Sequence, residues 1–256
     1  MSVDAPARRA IVVLGAGGSL GTAIVRRLAG EPATDLVLGD LDPSALPEAT
    51  QAPQATETNE AGTAIETMAC DVSRLSDVEA VVERCLERFG RLDVLISNAG
   101  VLSTNGRIHN LAEPEWQRAV NVNLMGAVHA VQAAVAPMRR QRSGSIVLTA
   151  SIAGLTAWSH SGPYCVTKAA VVHLAKVAAV EYARDGIRVN CVCPGTFRSA
   201  MHDQLPEGAL DAVAARHPLG LGTAEDLVAA YSYLAGDGSR WTTGSAMVVD
   251  GGYAAP

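Results

Sequence analysis

Short runs of aliphatic and β-branched residues alternate along the chain with longer stretches whose apolar positions recur at helical spacing. The short runs predict strands near residues 9–14, 35–40, 64–69, 92–97, 144–150, 187–193 and 245–249, with helices between most of them. Strand–helix alternation of this kind predicts a parallel sheet joined by right-handed crossovers. One interval breaks the pattern. Between Pro43 and Thr63, Pro43, Pro47 and Pro53 sit among many Thr, Gln and Glu residues, so that segment is expected to be short or irregular. From Pro163 to Arg184 the opposite holds: Val171, Val172, Leu174, Val177, Ala178 and Val180 surround the predicted helix instead of forming a stripe. A helix apolar all round is buried all round, which points to another subunit against one side.

Composition narrows the picture. The 256 residues are 48% hydrophobic but only 4% aromatic, so the core must be mostly Ala, Val, Leu and Ile, as in a parallel sheet covered by helices on both faces. One domain accounts for the length, with residues 1–8 read as a flexible N-terminus. The net charge of −6 has no basic patch behind it, and Arg139-Arg140-Gln141-Arg142 reads as a solvated helix end, which argues against nucleic acid. No apolar stretch is read as reaching the roughly 18–20 residues a bilayer span needs. Met1 to Pro6 has no apolar signal core, so a cytoplasmic protein is expected. The five cysteines are scattered, and Cys191 and Cys193 have no His or Cys partners at metal-ligand spacing; they read as packed thiols, with no metal site.

Two constellations carry chemistry. After the first strand comes Gly15-Ala16-Gly17-Gly18-Ser19-Leu20-Gly21, leading into an amphipathic helix. Glycines let a backbone approach a pyrophosphate, and a helix N-terminus offers N–H groups and a positive dipole end. Asp40 closes the second strand nineteen residues after Gly21, where a carboxylate can accept bonds from ribose hydroxyls. The second constellation is Tyr164 and Lys168, with Ser151 thirteen residues upstream of the tyrosine. On a helix, residues four apart share a face about 5–6 Å apart at Cβ, so an ammonium can sit beside a phenol. Lowering a phenol from about 10 to neutrality requires roughly 4 kcal/mol of preference for phenolate. Burial opposes this, so Lys168 is expected to outweigh it.

With these motifs in hand, the chain resembles the short-chain dehydrogenase/reductases from Ile11 to Tyr253, with the motifs in family order. Leu14 to Gly21 stand in place of the family's TGxxxGxG, with Leu14 for the usual Thr and Ser19 for the middle Gly. Asp71-Val72 resembles the pair that holds the adenine, and Ser97-Asn98-Ala99-Gly100 the NNAG motif with its first Asn changed. Asn123 matches the helix asparagine, and Ser145 to Ser151 the strand ending in the catalytic serine. Pro194-Gly195 followed by Ser199 resembles the PGxxxT turn beside the nicotinamide, and Val248 to Gly252 the closing strand and turn.

The resemblance implies a single-domain α/β Rossmann fold, a doubly wound seven-stranded parallel sheet with helices on both faces. It implies a catalytic set of Asn123, Ser151, Tyr164 and Lys168. The cofactor site would be Gly15, Gly18, Ser19, Leu20, Gly21, Asp40, Leu41, Asp71, Val72, Asn98, Ala99, Gly100, Pro194, Gly195, Phe197 and Ser199, together with Tyr164 and Lys168. Tyr164 would exchange a proton with the substrate, Ser151 would steady its oxygen, Lys168 would also hold the nicotinamide ribose, and Asn123 would hold a water leading to solvent. Asp40 favours NAD over NADP. The expected reaction interconverts a secondary alcohol and a ketone; a 3-oxoacyl-thioester reductase using NADPH fits the same template, as does a silent nicotinamide-binding subunit. The loops Val101 to Asn110 and Ser199 to His217, the second within a substrate region near 196–220, would cover the nicotinamide, with Trp158 and His160 as further pocket candidates. A homotetramer is the implied assembly.

Overall fold

The computed structural model describes residues 8–46, 62–199 and 209–255. Seven strands are seen where seven were expected: β1 (Arg9–Leu14), β2 (Thr34–Asp40), β3 (Ile65–Ala69), β4 (Val94–Ser97), β5 (Gly144–Thr149), β6 (Ile187–Pro194) and β7 (Ala246–Val249). They form one parallel sheet in the order β3-β2-β1-β4-β5-β6-β7. The helices are α1 (Ser19–Ala29), α2 (Leu75–Phe89), α3 (Glu113–Ala119), α4 (Gly126–Gln141), α5 (Gly162–Tyr182), α6 (Ala209–Ala214) and α7 (Ala224–Ala235). A π-type segment, Val120–Met125, joins α3 to α4 and carries Asn123.

Both faces of the sheet are dry. On β1, Ile11 and Val13 pack with Leu20, Ile24 and Leu28 of α1 and with Leu227, Tyr231 and Leu234 of α7. Val12 and Leu14 point the other way, into a second cluster with Val78 and Val81 of α2, Ala130 and Met138 of α4 and Val171 and Ala175 of α5. Alternation in direction with no alternation in polarity is why the central runs Ile11–Leu14 and Leu36–Leu38 are apolar throughout, whereas the edge strand β3 carries Glu66 and Thr67. Small residues set the layer spacing: a Cβ on Gly144 would meet Met138 Sδ at 2.3 Å.

The direction of winding reverses between β1 and β4, which are neighbours although two strands intervene in sequence. Beyond their C-terminal ends the connecting segments part, one entering α1 and the other passing Asn98, and a crevice opens between them. Local turns fit their sequence. α2 ends at Gly90, which takes φ +73° and donates its N–H to Leu86 O, and Pro163 occupies the first turn of α5, where a missing N–H costs nothing.

Two expectations are corrected. Arg8, placed in a flexible terminus, is pinned by a fork to both carboxylate oxygens of Asp35 and by a bond to Gly62 O; residues 1–7 lie outside the described residues. Two helical stretches, Glu113–Gln141 and Gly162–Asp185, are long and apolar enough to cross a membrane, contrary to the reading that none is; about half of each window is buried against the protein itself. On α5, Val171, Val172, Ala175 and Ala178 are covered by the chain's own core while Val166, Val177 and Val180 are exposed, leaving one side for the second subunit that was expected there. The irregular stretch after β2 begins with a 3₁₀ turn, Pro43–Ala45, and residues 47–61 lie outside the described residues.

Candidate active site

The crevice at the switch point continues into a cleft of about 600 Å³, ample for a dinucleotide end or a small substrate. One wall is the glycine turn. Gly15 has φ +76°, and a Cβ there would meet Ala99 N at 2.4 Å, so only glycine lets this backbone lie against the β4 turn. Gly18 faces open space and is the N-cap of α1, whose first turn has no acidic residue. An uncapped helix start facing a cleft is a donor set suited to phosphate. Asp40 braces the turn by accepting from Gly17 N (2.8 Å), with its other oxygen near Asp42 N (3.3 Å). Gly21 does not line the cleft: a Cβ there would meet Gly15 O at 2.1 Å, so its role is to seat α1 under the turn.

Of the residues expected at the cofactor site, Gly15, Gly18, Ser19, Leu20, Asp40, Leu41, Asp71, Val72, Asn98, Ala99, Gly100, Pro194, Gly195, Phe197 and Ser199 all line the cleft. Asp71 is held by Ser73, which donates from both N and Oγ (3.0 and 2.7 Å) and draws its carboxyl below the usual range. Val72 O lies 2.9 Å from His129 Nδ1. A Cβ on Gly195 would meet Asp250 Cα at 2.6 Å, which packs the Pro194 turn on the closing turn. Cys70 also lines the cleft, but burial pushes its thiol up to about 12, so it is inert.

The opposite end of the cleft holds Ser151, Tyr164 and Lys168. Ser151 follows β5 and its Oγ accepts from Ala153 N (3.1 Å), which fixes the serine turn. That turn lies directly on α5, because a Cβ on Gly154 would meet Lys168 C at 2.6 Å. Lys168 is 3% exposed, donates to Thr149 O at 2.7 Å and lies 5.9 Å from the centre of the Tyr164 ring. Burial depresses its pKa from 10.5 to about 8. For Tyr164 burial is again the largest effect, pushing the phenol up, while the neighbouring Ser151 hydroxyl pulls it down and does not win. This corrects the expectation that Lys168 outweighs burial: desolvation of the phenol is the larger effect, and the protein's own groups leave it protonated at neutral pH.

Asn123 is buried and off the cleft surface. Its Oδ1 accepts from Val101 N (2.8 Å), and its Nδ2 donates to Val101 O (3.0 Å) and Thr167 Oγ1 (3.2 Å). Both amide protons are therefore used, and one lone pair of Oδ1 remains for a water. The side chain positions Gly100, since a Cβ there would meet both Asn123 Oδ1 and Lys168 Nζ at 3.3 Å.

Trp158 lines the cleft beside Tyr164 (ring centres 6.2 Å, planes 26° apart), with Tyr253 packed edge-on behind it. Its Nε1 and Ser103 Oγ are buried without hydrogen-bond partners. His160 is exposed at φ +67° and does not line the cleft, against expectation. In the two covering loops, Val101 and Leu102 reach the cleft, residues 200–208 lie outside the described residues, and His217 is buried, accepting from Thr196 N (3.1 Å) with its other nitrogen 2.9 Å from Val213 O. Thr149, Thr196, Val122 and Arg118 line the cleft too, and sequence reasoning missed them; Arg118 had an amphipathic context that gave no signal.

Comparison with known proteins agrees with this geometry. A family profile described as enoyl-(acyl carrier protein) reductase matches residues 15–254. A cis-4-hydroxycyclohexanecarboxylate dehydrogenase of Sinomonas cyclohexanicum is 35% identical over 253 residues, covering 98% of this chain and 99% of its own. The crystal structure of a short-chain type dehydrogenase/reductase from Mycobacterium marinum superposes with a TM-score of 0.90 at 30% identity, over 98% of each chain. The chain belongs to the short-chain dehydrogenase/reductase family. It is an oxidoreductase of that family, whose fold binds a nicotinamide cofactor; two further structures of like fold, at 26% and 27% identity, hold NADP and NAD+ respectively.

The depressed Lys168 pKa has a consequence for the stability of this short-chain dehydrogenase/reductase family member. Between pH 8 and 10.5 the unfolded chain holds a proton on Lys168 that the folded chain lacks, so this group's contribution to stability rises with pH across that window. Relative to Lys168→Met, the wild type should gain on the order of 2–3 kcal/mol between pH 7.5 and 10. Urea unfolding of both proteins at the two pH values measures it; a constant difference would show that Lys168 titrates as an exposed lysine does.

Proposed function

We propose that the protein is an NAD(H)-dependent oxidoreductase interconverting a secondary alcohol and a ketone, with Tyr164 as the proton-transferring group. The observation that carries this reading is the meeting of Ser151, Tyr164 and Lys168 at one end of a cleft whose other end is the glycine turn and Asp40. When bound, the nicotinamide cofactor supplies the carbon that accepts or returns the hydride. The chain's own residues do the rest. The Tyr164 hydroxyl gives a proton to the ketone oxygen or takes one from the alcohol, and the Ser151 hydroxyl bonds that oxygen as its charge changes. Lys168, anchored on Thr149 O, would hold the cofactor ribose and bias Tyr164, and Asn123 would offer its remaining lone pair to a water. A phenol protonated at neutral pH suits the ketone-reducing direction there, and alcohol oxidation should gain as pH rises.

The residues present fit a dinucleotide. Gly15, Gly18, Ser19 and Leu20 would face the pyrophosphate, Asp71 and Val72 the adenine, and Asn98 to Gly100 with Pro194, Gly195, Phe197 and Ser199 the nicotinamide end. Apolar Val101, Leu102 and Trp158 suit a carbon-rich substrate body, and the unpartnered Nε1 of Trp158 a hydrogen-bond acceptor upon it. We also assign the exposed Val166, Val177 and Val180 to contact with a second copy, in a homotetramer. Light scattering at micromolar concentration should give a multiple of the chain mass, and a monomer would remove that assignment.

Tyr164→Phe should lower kcat by about a hundredfold or more, the usual worth of a positioned acid or base, with NAD+ affinity unchanged within a few fold. Steady-state assay against a panel of secondary alcohols, with NAD+ binding measured alongside, decides it; a variant keeping a tenth of the rate would exclude Tyr164.

Cofactor choice follows from charge. A carboxylate about 4 Å from the NADP 2′-phosphate costs roughly 1–4 kcal/mol, about tenfold in affinity for each 1.4 kcal/mol. Leu41, 75% exposed, offers no compensating cation. NAD should be preferred about a hundredfold in kcat/KM, and Asp40→Ser with Leu41→Arg should narrow or reverse the ratio. Equal efficiency with both cofactors in the wild type would mean that Asp40 serves only to brace Gly17.

A further inference from the structure

Tyr231 lies on α7, across the sheet from the helix that carries Tyr164 and Lys168. It is fully buried, and its hydroxyl is 2.9 Å from Thr149 Oγ1. Thr149 Oγ1 is also 3.3 Å from Asn98 Oδ1, and Asn98 Nδ2 is 2.8 Å from Gly15 O. The direction of every proton in this chain can be deduced. A backbone carbonyl only accepts, so the Asn98 amide nitrogen faces Gly15 and its oxygen faces Thr149. The single Thr149 hydroxyl proton goes to that oxygen, which leaves Tyr231 as the donor to Thr149. The run therefore reads Tyr231 to Thr149 to Asn98 to the Gly15 carbonyl, the carbonyl against which Gly21 must be bare.

Thr149 is the branch point. Its side chain is held from one face of the sheet by Tyr231, while its backbone carbonyl takes the Lys168 ammonium from the other. We infer that Tyr231 is a positioning residue for the cofactor end of the site, fixing Thr149 and through it both Lys168 and the glycine turn. Burial keeps its phenol protonated well beyond the ordinary range, so it remains a donor at any working pH. The inference rests on the reading of Lys168 and the glycine turn as dinucleotide-holding groups.

The test is direct binding of NAD+ and NADH to the purified full-length protein, without substrate, by tryptophan fluorescence or calorimetry. Tyr231→Phe keeps the ring and removes one hydrogen bond, the net worth of which corresponds to about a twofold to twelvefold change. The cofactor Kd and KM should rise by about threefold to tenfold while the substrate KM stays within twofold. A purely structural role would lower the melting temperature and leave the cofactor Kd unmoved. Thr149→Val should reproduce the weakening, Thr149→Ser should restore binding to within twofold, and Tyr231→Phe should add nothing in the Thr149→Val background. If Tyr231→Phe does not fold, the Thr149→Val and Thr149→Ser pair carries the test: equal affinities in the two overturn the inference. So does a Tyr231→Phe protein that binds both dinucleotides as the wild type does, or effects that multiply in the double variant. Wild-type protein that binds neither dinucleotide would overturn the oxidoreductase reading together with the role of Tyr231.

Discussion

A buried ammonium must find an acceptor, and the site is organised around the one that Lys168 finds in the Thr149 carbonyl. That carbonyl is left to accept because β4 stops pairing with β5 at Ser97, opposite Leu148, and Ala99 N turns instead to Leu14 O. One bond thus ties the end of the central sheet to the helix carrying the phenol. Gly154 presses the serine turn onto the same helix, and Asn123 holds Val101 so that bare Gly100 can lie against both polar groups. Move the lysine and each of these contacts loses its counterpart.

The proposed site shows how little of such a geometry is supplied by functional side chains. Ser151, Tyr164 and Lys168 bring functional groups, but the close approach of three backbone segments brings the groups together, and glycine at 15, 100 and 154 permits that approach. The same backbone holds the two ends of the cleft in register, since Asn98 spans from the β4 turn to Gly15 while its amide N–H and that of Ala99 both go to Leu14 O.

Much of this was legible in the sequence. The strands were visible because burial on both faces makes the central ones runs of apolar residues, and the glycine turn, Asp40 and the Ser-Tyr-Lys set because the chemistry restricts residue type at fixed spacing. What was hidden depends on backbone partners, which no side-chain pattern encodes. Nothing in the letters of Thr149 says that its carbonyl holds a lysine, nor in Asn123 that its amide is paired with Val101. Tyr231 and His217 were equally silent, one being a lone aromatic on a core helix and the other a lone histidine in a loop. The direction of the Tyr164 shift was misjudged because spacing on a helix gives the nearness of a charge but not the desolvation of the phenol beside it. Arg8 was misread because a terminus looks loose until Asp35 is seen beneath it.

The bond from Asn98 to Gly15 closes a span of 83 residues, and ordering a loop of that length costs on the order of 4 kcal/mol in chain entropy before any contact repays it. The cleft is therefore absent from any nascent chain that has not yet delivered β4, however well β1 to β3 have paired. Until then the open edge of β1 offers other chains a row of unpaired N–H and C=O groups flanked by apolar side chains. The strand edge on which the dinucleotide crevice is later built is thus open during synthesis, and the speed at which the second half of the sheet docks governs how long it stays so.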